Sequence, residues 1–397
     1  MTERRLVFLI GAVQFVNVLD FMMVMPLGPD FAAALGIPSS HLGVIGGSYT
    51  AAAAIAGLGA ATFLDRFDRR RALAVSLVGL VVATALGGLA IGLSSLVAAR
   101  VLAGVFGGPA TAIALAIISD NIPPERRGRA MGAVMGSFAL ASVLGVPLGL
   151  ELARLGNWRL PFFTVATLGI GVVAAAVTML PAQTAHLARR GTGTPILSVM
   201  QRPVVLLSLT ASALGVIANF ALIPNLSAYL QFNLGYPREQ LGLLYFVGGI
   251  VTFATMRLGG WLTDRYGATV VALGGSLWFT SVLVFGFLVP SAHVPVIVIF
   301  VAFMVSASFR IVPMQALSSR VPAPPERAGF MSAQSAVTHM ASAAGAMLGS
   351  QILAERADKS LVGMDTLAWF AIATSIVFPI VLGAVELRVR RQAQARA

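Results

Sequence analysis

Long apolar runs dominate this chain of 397 residues, with short segments that hold charges, proline and glycine between them. The hydrocarbon core of a bilayer is about 30 Å thick, and a helix that rises about 1.5 Å per residue needs roughly 20 apolar residues to cross it. Twelve runs are long enough, and we number them spans 1 to 12: 6–27, 42–64, 72–93, 96–118, 130–152, 161–180, 204–230, 241–263, 269–290, 295–318, 329–353 and 365–386. The pattern predicts an all-α membrane protein with twelve transmembrane helices.

Composition rules out several other classes of protein. Apolar residues make up 57% of the chain and charged residues only 11%, whereas a soluble domain has about 25% charged residues. No cysteine is present, which excludes disulfides, thiolate metal sites and a cysteine nucleophile. The single lysine, Lys359, does not follow a glycine-rich loop, so a Walker-type nucleotide site is excluded too. We therefore expect no enzyme activity, no catalytic residue, no cofactor and no metal site.

The basic residues report on membrane topology. A formal net charge of +12 would suggest nucleic-acid binding in a soluble protein. With twelve spans, both termini and the loops after even-numbered spans share one side, and that side holds Arg4, Arg5, Arg66, Arg69, Arg70, Arg71, Arg126, Arg127, Arg129, Arg189, Arg190, Arg202, Arg265, Arg320, Arg327, Arg388, Arg390, Arg391 and Arg396. The other side holds only Arg154, Arg159, Arg238, Arg356 and Lys359. Because cytoplasmic loops carry the excess of arginine, we predict a multi-pass protein of the bacterial cytoplasmic (inner) membrane, with both termini cytoplasmic and no nucleic-acid partner.

The longest polar stretch lies in the middle of the chain. Residues 181–203, PAQTAHLARRGTGTPILSVMQRP, separate two sets of six spans, as a domain linker does. We predict an N-terminal six-helix bundle over 1–180, a cytoplasmic linker over 181–203 and a C-terminal six-helix bundle over 204–397.

The two halves share sequence, which indicates an internal duplication. FLDRF, with Asp65, recurs 199 positions later as LTDRY, with Asp264, and the same offset places Asp20 on Asn219. PPERRG at 123–128 recurs as PPERAG, 201 positions later. Two related six-helix bundles are typical of transporters that alternate between two orientations around a site at the midplane of the membrane.

The loop between spans 8 and 9 carries a family signature. It reads Gly260-Trp-Leu-Thr-Asp264-Arg265-Tyr-Gly267, which resembles the loop between helices 2 and 3 of the major facilitator superfamily. The resemblance extends over the whole chain through span count, linker and repeat. It implies two pseudo-symmetric six-helix bundles and a monomer.

The corresponding loop of the first half, between spans 2 and 3, departs from this signature. It keeps Asp65 and Arg66, but Ala61 and Asp68 stand where the family has glycine. By resemblance, Asp65 and Asp264 are gate residues, because a carboxylate at a helix end can hold a partner in one state and release it in another. The alternative for these loops, which we prefer for their arginines, is a role in setting topology.

Two further segments resemble the twelve-span drug:proton antiporters of that superfamily. Arg100 in RVLAGVFGGP resembles their membrane-embedded arginine in helix 4. In span 5, Gly145-Val-Pro147-Leu-Gly149 resembles the helix 5 antiporter motif in the variant of sugar-efflux and drug-efflux relatives, although Ala141 replaces the preceding glycine. These resemblances favour export.

Asp20 is the candidate for proton coupling, because it lies well inside span 1. A charged carboxylate at that depth costs on the order of 3 kcal/mol unless it is paired, hydrated or protonated. Alternation between a desolvated environment and the neighbourhood of a cation would load and unload a proton. Arg100 lies at a similar depth in span 4 and is the expected partner. The alternatives are a fixed ion pair between two helices and an Arg100 that extends to the outer interface.

Three more polar residues inside spans are candidates for substrate binding. Asn17 shares a helix face with Asp20, Asn219 is the repeat equivalent of Asp20, and Arg310 lies deep in span 10 where it can meet an anionic group. For each asparagine, a hydrogen bond that only packs two helices is an equal alternative.

Together these features predict a proton-coupled exporter of small molecules, of the kind that confers drug resistance, with small-molecule substrate, protons and the lipid bilayer as its partners. A proton that moves down its gradient supplies about 2.3 kcal/mol per 100 mV, so no nucleotide is needed. An importer (symporter or uniporter) or a lipid flippase on the same fold remains the alternative.

Overall fold

The computed structural model describes residues 1–63, 66–184, 200–289, 294–322 and 326–394. Nearly all of them are helical, and the only strands in these ranges are β1 (Ala354–Glu355) and β2 (Leu361–Val362), which pair antiparallel. The predicted all-α class is therefore confirmed.

The described residues of the first half form eight α-helices. They are α1 (Glu3–Val24), α2 (Gly28–Leu35), α3 (Leu42–Phe63), α4 (Arg69–Gly88), α5 (Leu93–Asn121), α6 (Pro124–Leu140), α7 (Val146–Leu155) and α8 (Leu160–Met179). A π-helical turn, Ala141–Gly145, joins α6 to α7, so span 5 is one continuous but irregular helix.

In the second half, six α-helices lie within the ranges that the structure describes. They are α9 (Pro203–Ala228), α10 (Leu241–Tyr266), α11 (Ala268–Leu283), α12 (Val296–Ser318), α13 (Arg327–Ile352) and α14 (Met364–Gln394). Two more π-helical turns, Tyr229–Asn233 and Val284–Leu288, extend α9 and α11.

Eleven stretches of the described residues are long and apolar enough to cross a membrane, and they coincide with spans 1 to 10 and span 12. Span 11 is α13, whose 26 residues are rich in alanine, serine and glycine and therefore less apolar. Small residues there let α13 lie close to α9: a Cβ added at Gly345 would be 2.4 Å from the carbonyl oxygen of Ile217. The twelve predicted spans thus correspond to helices of the structure.

The chain divides into two compact units. Unit 1 comprises residues 1–192 and 238–246, and unit 2 comprises 193–237 and 247–397. The segment 238–246 belongs to unit 1, where Arg238 donates a hydrogen bond of 2.7 Å to Asp30.

Each unit has its own apolar core. In unit 1 the buried residues of α1, α4 and α5 include Ile10, Leu73 and Ile117, each at most 1% exposed. In unit 2 the corresponding cluster includes Phe330 and Phe378. Large apolar side chains such as Phe8, 81% exposed, and Trp369, 61% exposed, remain on the surface, as expected of helices that face lipid.

Close helix contacts hold the centre of unit 1 together. A Cβ added at Gly104 would be 2.3 Å from the carbonyl oxygen of Tyr49, and one added at Gly108 would be 2.4 Å from that of Ala53. These glycines of α5 therefore let α3 approach backbone to backbone, and that approach brings side chains of α3 to the site described next.

Candidate functional site

An ion pair lies at the centre of unit 1. Asp20, on α1, is fully buried, and Arg100, on α5, is 1% exposed. Nη1 of Arg100 donates a hydrogen bond of 2.9 Å to Oδ2 of Asp20. The structure thus brings together the two residues that the sequence singled out for proton coupling.

Thr84, on α4, completes the surroundings of the carboxylate. Its hydroxyl oxygen lies 2.7 Å from Oδ1 of Asp20 and 2.8 Å from the carbonyl oxygen of Leu80 in its own helix. A hydroxyl has one hydrogen, so it donates to only one of these two acceptors at a time. It can donate to a charged Asp20, or accept from a protonated Asp20 while it donates to Leu80.

Tyr49, on α3, covers the guanidinium of Arg100. The Cζ atom of Arg100 lies 4.6 Å from the centre of the Tyr49 ring, a cation–π contact. The ring also stacks on Phe21 at 5.2 Å, and its hydroxyl donates a hydrogen bond of 3.0 Å to Oδ1 of Asn17. Arg100 is therefore held from two sides, by a carboxylate and by an aromatic ring.

Asn17 lies next to this pair, and its amide is already used. Nδ2 donates to the carbonyl oxygen of Gly107 at 2.9 Å and to Oγ1 of Thr111 at 2.6 Å, both on α5. Together with the bond from Tyr49, these contacts occupy both amide hydrogens and the oxygen. Of the two roles considered for Asn17, the contacts favour helix packing.

The antiporter-like segment of span 5 packs against the helix turn that holds Asp20. The N–H of Val146 bonds to the carbonyl oxygen of Ala141, five residues back, which makes the turn π-helical next to Pro147, a residue without an N–H. A Cβ added at Gly145 would be 2.5 Å from Cδ1 of Leu19. Glycine at this position therefore provides the space for the residue that precedes Asp20.

Pro147 and Gly149 begin the helix that follows this turn. Both lie in α7, and Gly149 is buried, with Met23 of α1 at 3.9 Å from an added Cβ. This is ordinary van der Waals distance, so Gly149 is less constrained than Gly145.

Arg310, on α12, occupies the centre of unit 2 and is fully buried. Its Nη1 donates to Oδ1 of Asn219, on α9, at 3.3 Å. Its Cζ lies 4.6 Å from the ring centre of Phe279 and 5.2 Å from that of Phe378. Nε and Nη2 have no hydrogen-bond partner. The structure thus brings Asn219 and Arg310 together and places them in a different unit from the third substrate candidate, Asn17.

The loop between α3 and α4 is described only in part, and Asp65 lies outside the described residues. Arg66 is exposed. Asp68, which replaces the signature glycine, caps α4: its side chain accepts hydrogen bonds from the N–H of Arg70 at 3.0 Å and from the N–H of Gln183 at 2.8 Å. The replacement therefore exchanges a flexible turn for a helix cap.

The loop between α10 and α11 is described in full. Gly267 has a φ of 92°, which favours glycine, and it joins the two helices directly. Asp264 is exposed, with Nη2 of Arg320 at 3.6 Å from Oδ1. Arg265 lies over the ring of Trp261, with Cζ at 5.5 Å from its centre, and Gly260 has no neighbour within 4 Å of an added Cβ. The contact between Asp264 and Arg320 is the kind that a gate needs, one charge pair near a helix end.

Two residues of the site were not found from the sequence, Tyr49 and Thr84. Both are polar side chains inside apolar spans, which is a weak signal, because threonine and tyrosine are common in membrane helices. The glycines of RVLAGVFGGP are a stronger signal, because glycines on one face of a helix indicate that another helix packs closely there. In the structure that helix is α3, which carries Tyr49.

A groove of about 790 Å³ opens on unit 1 between α1 and α6. Arg4, Arg126 and Arg129 line one part of it, and Phe8 and Leu140 line another. Three glycines of α6, Gly128, Gly132 and Gly136, have no atom of the described residues within 4 Å of an added Cβ. These glycines therefore keep this face of unit 1 open.

Comparison with known proteins places these features in context. A sequence profile of the Major Facilitator Superfamily matches residues 10–350 and, in a second match, residues 209–396. The second match begins near the start of the C-terminal half, as expected of a duplicated sequence.

Two curated relatives have names that refer to resistance or efflux. A chloramphenicol resistance protein of Streptomyces lividans is 25% identical over 261 residues, which is 65% of this chain and 66% of that protein. The purine ribonucleoside efflux pump NepI of Escherichia coli is 25% identical over 273 residues, which is 68% of this chain and 66% of that protein. In both cases the alignment spans slightly less than two thirds of the relative.

Solved structures share the fold over nearly the whole chain. A bacterial homologue of the human lysosomal transporter Spinster, in an inward-facing and occupied conformation, aligns with a TM-score of 0.74 at 17% identity, over 97% of this chain and 96% of that one. At this identity the similarity establishes the fold alone.

Proposed function

Because the chain belongs to the Major Facilitator Superfamily and is a multi-pass membrane protein, we propose that it exports small molecules across the bacterial cytoplasmic membrane in exchange for protons, with Asp20 as the proton carrier. One observation carries this proposal: a buried carboxylate whose only charged partner among the described residues is the Arg100 guanidinium, at 2.9 Å. The names of the two relatives, resistance and efflux, support export over import.

The ion pair has two states that a proton interconverts. A charged Asp20 is stabilised by Arg100, whereas desolvation inside the bundle favours the neutral acid. Protonation removes the attraction between opposite charges, while the contact between Arg100 and the ring of Tyr49 remains. A small movement of α1 against α5 therefore accompanies the gain or loss of a proton, and this movement is the step that we couple to alternating access.

Thr84 lets Asp20 stay hydrogen-bonded in both states. It donates to the carboxylate when Asp20 is charged, and it accepts from the acid when Asp20 is protonated, because Leu80 then receives the threonine hydrogen. Neither state leaves a carboxyl oxygen of Asp20 or the hydroxyl of Thr84 without a hydrogen-bond partner, although Nε of Arg100 has none among the described residues. A carboxylate that is hydrogen-bonded in both its charged and its protonated form is suited to bind and release a proton in each transport cycle.

Gly145 connects the movement of α1 to span 5. Leu19, beside Asp20, fills the space that Gly145 leaves, so a shift of α1 is transmitted to the π-helical turn. π-Helical turns in membrane helices are frequent at functional sites. We propose that the antiporter-like segment of span 5, from Gly145 through Pro147 to Gly149, acts through this contact.

The remaining sequence predictions enter as parts of the same proposal. Asn219 and Arg310 bind polar groups of the substrate, and the groove of unit 1 is its entry from the cytoplasm, since arginine and phenylalanine there suit amphipathic molecules. The gating loops are formed by six residues: Asp65, Arg66, Gly260, Asp264, Arg265 and Gly267.

Topology and organisation follow the sequence predictions. Both termini are cytoplasmic, two six-helix bundles are joined by the linker 181–203, and the protein acts as a monomer.

The decisive experiment uses purified protein in proteoliposomes that contain a pH-sensitive dye. Compounds of the classes named for the relatives, chloramphenicol and purine ribonucleosides, are added together with sugars and cationic drugs. We compare the wild type with Asp20→Asn and with Asp358→Asn, a matched control at an exposed loop carboxylate. We expect one compound class to move protons in the wild type and in Asp358→Asn, and proton movement to fall at least about tenfold in Asp20→Asn, because the amide does not titrate.

Two outcomes would refute the proton-carrier role. If Asp20→Asn couples as well as the wild type, Asp20 forms a fixed ion pair. If a compound is transported without proton movement by the wild type, the protein is a uniporter. Proton movement in the same direction as the compound would instead identify a symporter.

A further inference from the structure

The two free nitrogens of Arg310 lie on one edge of its guanidinium. Nε and Nη2 point to the same side of the group, the side that binds a carboxylate or another anion with two parallel hydrogen bonds. Neither atom has a hydrogen-bond partner, and Arg310 is fully buried. The third nitrogen, Nη1, is turned away to Asn219. The edge that is best suited to an anion is therefore the one that has no hydrogen-bond acceptor among the described residues.

Two more donors without a partner among the described residues belong to the helices whose phenyl rings contact the guanidinium of Arg310. Ser276 is one turn before Phe279 on α11, and Ser375 is one turn before Phe378 on α14. Residues three apart share a helix face, so each serine is on the face that carries a phenyl ring to Arg310. Both hydroxyls are buried, at 4% and 1% exposure, and neither has a hydrogen-bond partner.

The charge of this centre is not balanced by protein groups. Within the described residues, the carboxylates of unit 2 that form ion pairs do so with other arginines: Asp264 with Arg320, Glu326 with Arg202 and Glu386 with Arg390. The two phenyl rings compensate only part of the cost of a buried cation. An arginine does not lose its proton to avoid that cost, so a counter-charge has to come from outside the chain.

We propose that unit 2 contains an anion-binding site, formed by the Nε and Nη2 edge of Arg310 with the hydroxyls of Ser276 and Ser375. Its ligand is one monovalent anion, either a halide or the carboxylate group of an organic acid. The donors are all neutral hydroxyls or the guanidinium, and none of them is a carboxylate that would repel the ligand. This site rests on the role in substrate binding that we propose for Arg310 and names the ligand class, but it requires no proton transfer at Asp20, so its test is separate from that of proton coupling.

Thermal unfolding of the purified full-length protein in detergent tests the site. The protein is kept in sulfate, a larger divalent anion, and sodium chloride or sodium benzoate replaces the sulfate at constant ionic strength. We expect a saturable rise of the unfolding temperature by about 3 °C with one of the two salts. A response to chloride identifies a halide site, and a response to benzoate identifies a site for the acid group of an organic molecule.

Variants decide whether Arg310 and its neighbours cause the response. Arg310→Gln removes it, and Ser276→Ala weakens the anion affinity about tenfold. Arg388→Gln, the same change at an exposed residue of α14, keeps the full response. Should Arg310→Gln not fold, Arg310→Lys keeps the charge without the Nε and Nη2 edge and loses most of the affinity. No response in the wild type to either salt, or an unchanged response in both Arg310→Lys and Ser276→Ala, would overturn the proposal.

Discussion

The two units each place one arginine at their centre, but they neutralise it differently. In unit 1, Arg100 faces the carboxylate of Asp20 at 2.9 Å, whereas in unit 2, Arg310 faces the neutral amide of Asn219 at 3.3 Å. Asp20 and Asn219 are equivalent positions of the repeat, whereas Arg100 and Arg310 lie 210 positions apart and therefore in different turns of the fourth span of each half. Unit 1 carries its own counter-ion, and a proton can modulate it. Unit 2 leaves two nitrogens free for a ligand.

This difference indicates that the two halves of a duplicated fold can have different roles. An arginine that faces a carboxylate has a counter-charge within the protein, whereas an arginine that faces an amide has none. We therefore assign energy coupling to unit 1 and anion recognition to unit 2, and the following changes test this assignment.

The largest effect is expected when the cation of each unit is removed. Arg100→Met leaves Asp20 buried without a partner and lowers the free energy of unfolding by about 3 to 5 kcal/mol, whereas Arg310→Met removes an unbalanced charge and costs no more than about 1 kcal/mol in chloride-free buffer. Unfolding in mixed detergent micelles measures both. Equal costs for the two variants would contradict the comparison.

A second change makes unit 2 resemble unit 1. Asn219→Asp gives Arg310 a carboxylate, and we expect the free energy of unfolding to rise by about 1 kcal/mol and the response to added anions to disappear. The matched control is Asn225→Asp on the same helix, where the amide is fully buried and has no partner. There the new charge has no cation to pair with, and it destabilises the protein by about 2 kcal/mol or more. An anion response that persists in Asn219→Asp would show that Arg310 is not the binding group.

The smallest effect concerns the ring that covers Arg100. A Cβ added at Gly107 would be 2.5 Å from the Tyr49 hydroxyl and 2.8 Å from Oδ1 of Asn17. Gly107→Ala is expected to displace Tyr49 and to cost about 1 to 3 kcal/mol. Gly132→Ala, on the open face of α6, gains helix propensity and is neutral or stabilising by up to about 1 kcal/mol. Thermal unfolding of the two variants checks this, and equal behaviour would mean that Tyr49 adapts without cost.

Much of the site could be found from the sequence, because charges inside apolar spans are rare and conspicuous. Asp20, Arg100, Asn219 and Arg310 were identified for that reason, and the repeat offset related two of them to each other. Thr84 and Tyr49 were not identified, since a hydroxyl in a membrane helix is common and only its neighbours give it a role. Glycine also has different surroundings at different positions: an added Cβ at Gly345 would be 2.4 Å from the carbonyl oxygen of Ile217, whereas one at Gly132 has no atom of the described residues within 4 Å.

The sequence by itself determined the number of spans, the duplication and the positions of the buried charges. Polar groups are costly in lipid, so charged residues are frequent in the loops, and the few inside an apolar span are easy to recognise. Only the tertiary structure decided which charges meet and with which atoms. The hydrogen bond from Arg100 to Asp20 joins residues 80 positions apart, and the free edge of Arg310 depends on how three other helices surround it. Such contacts arise from the packing of distant helices, so no short stretch of sequence records them.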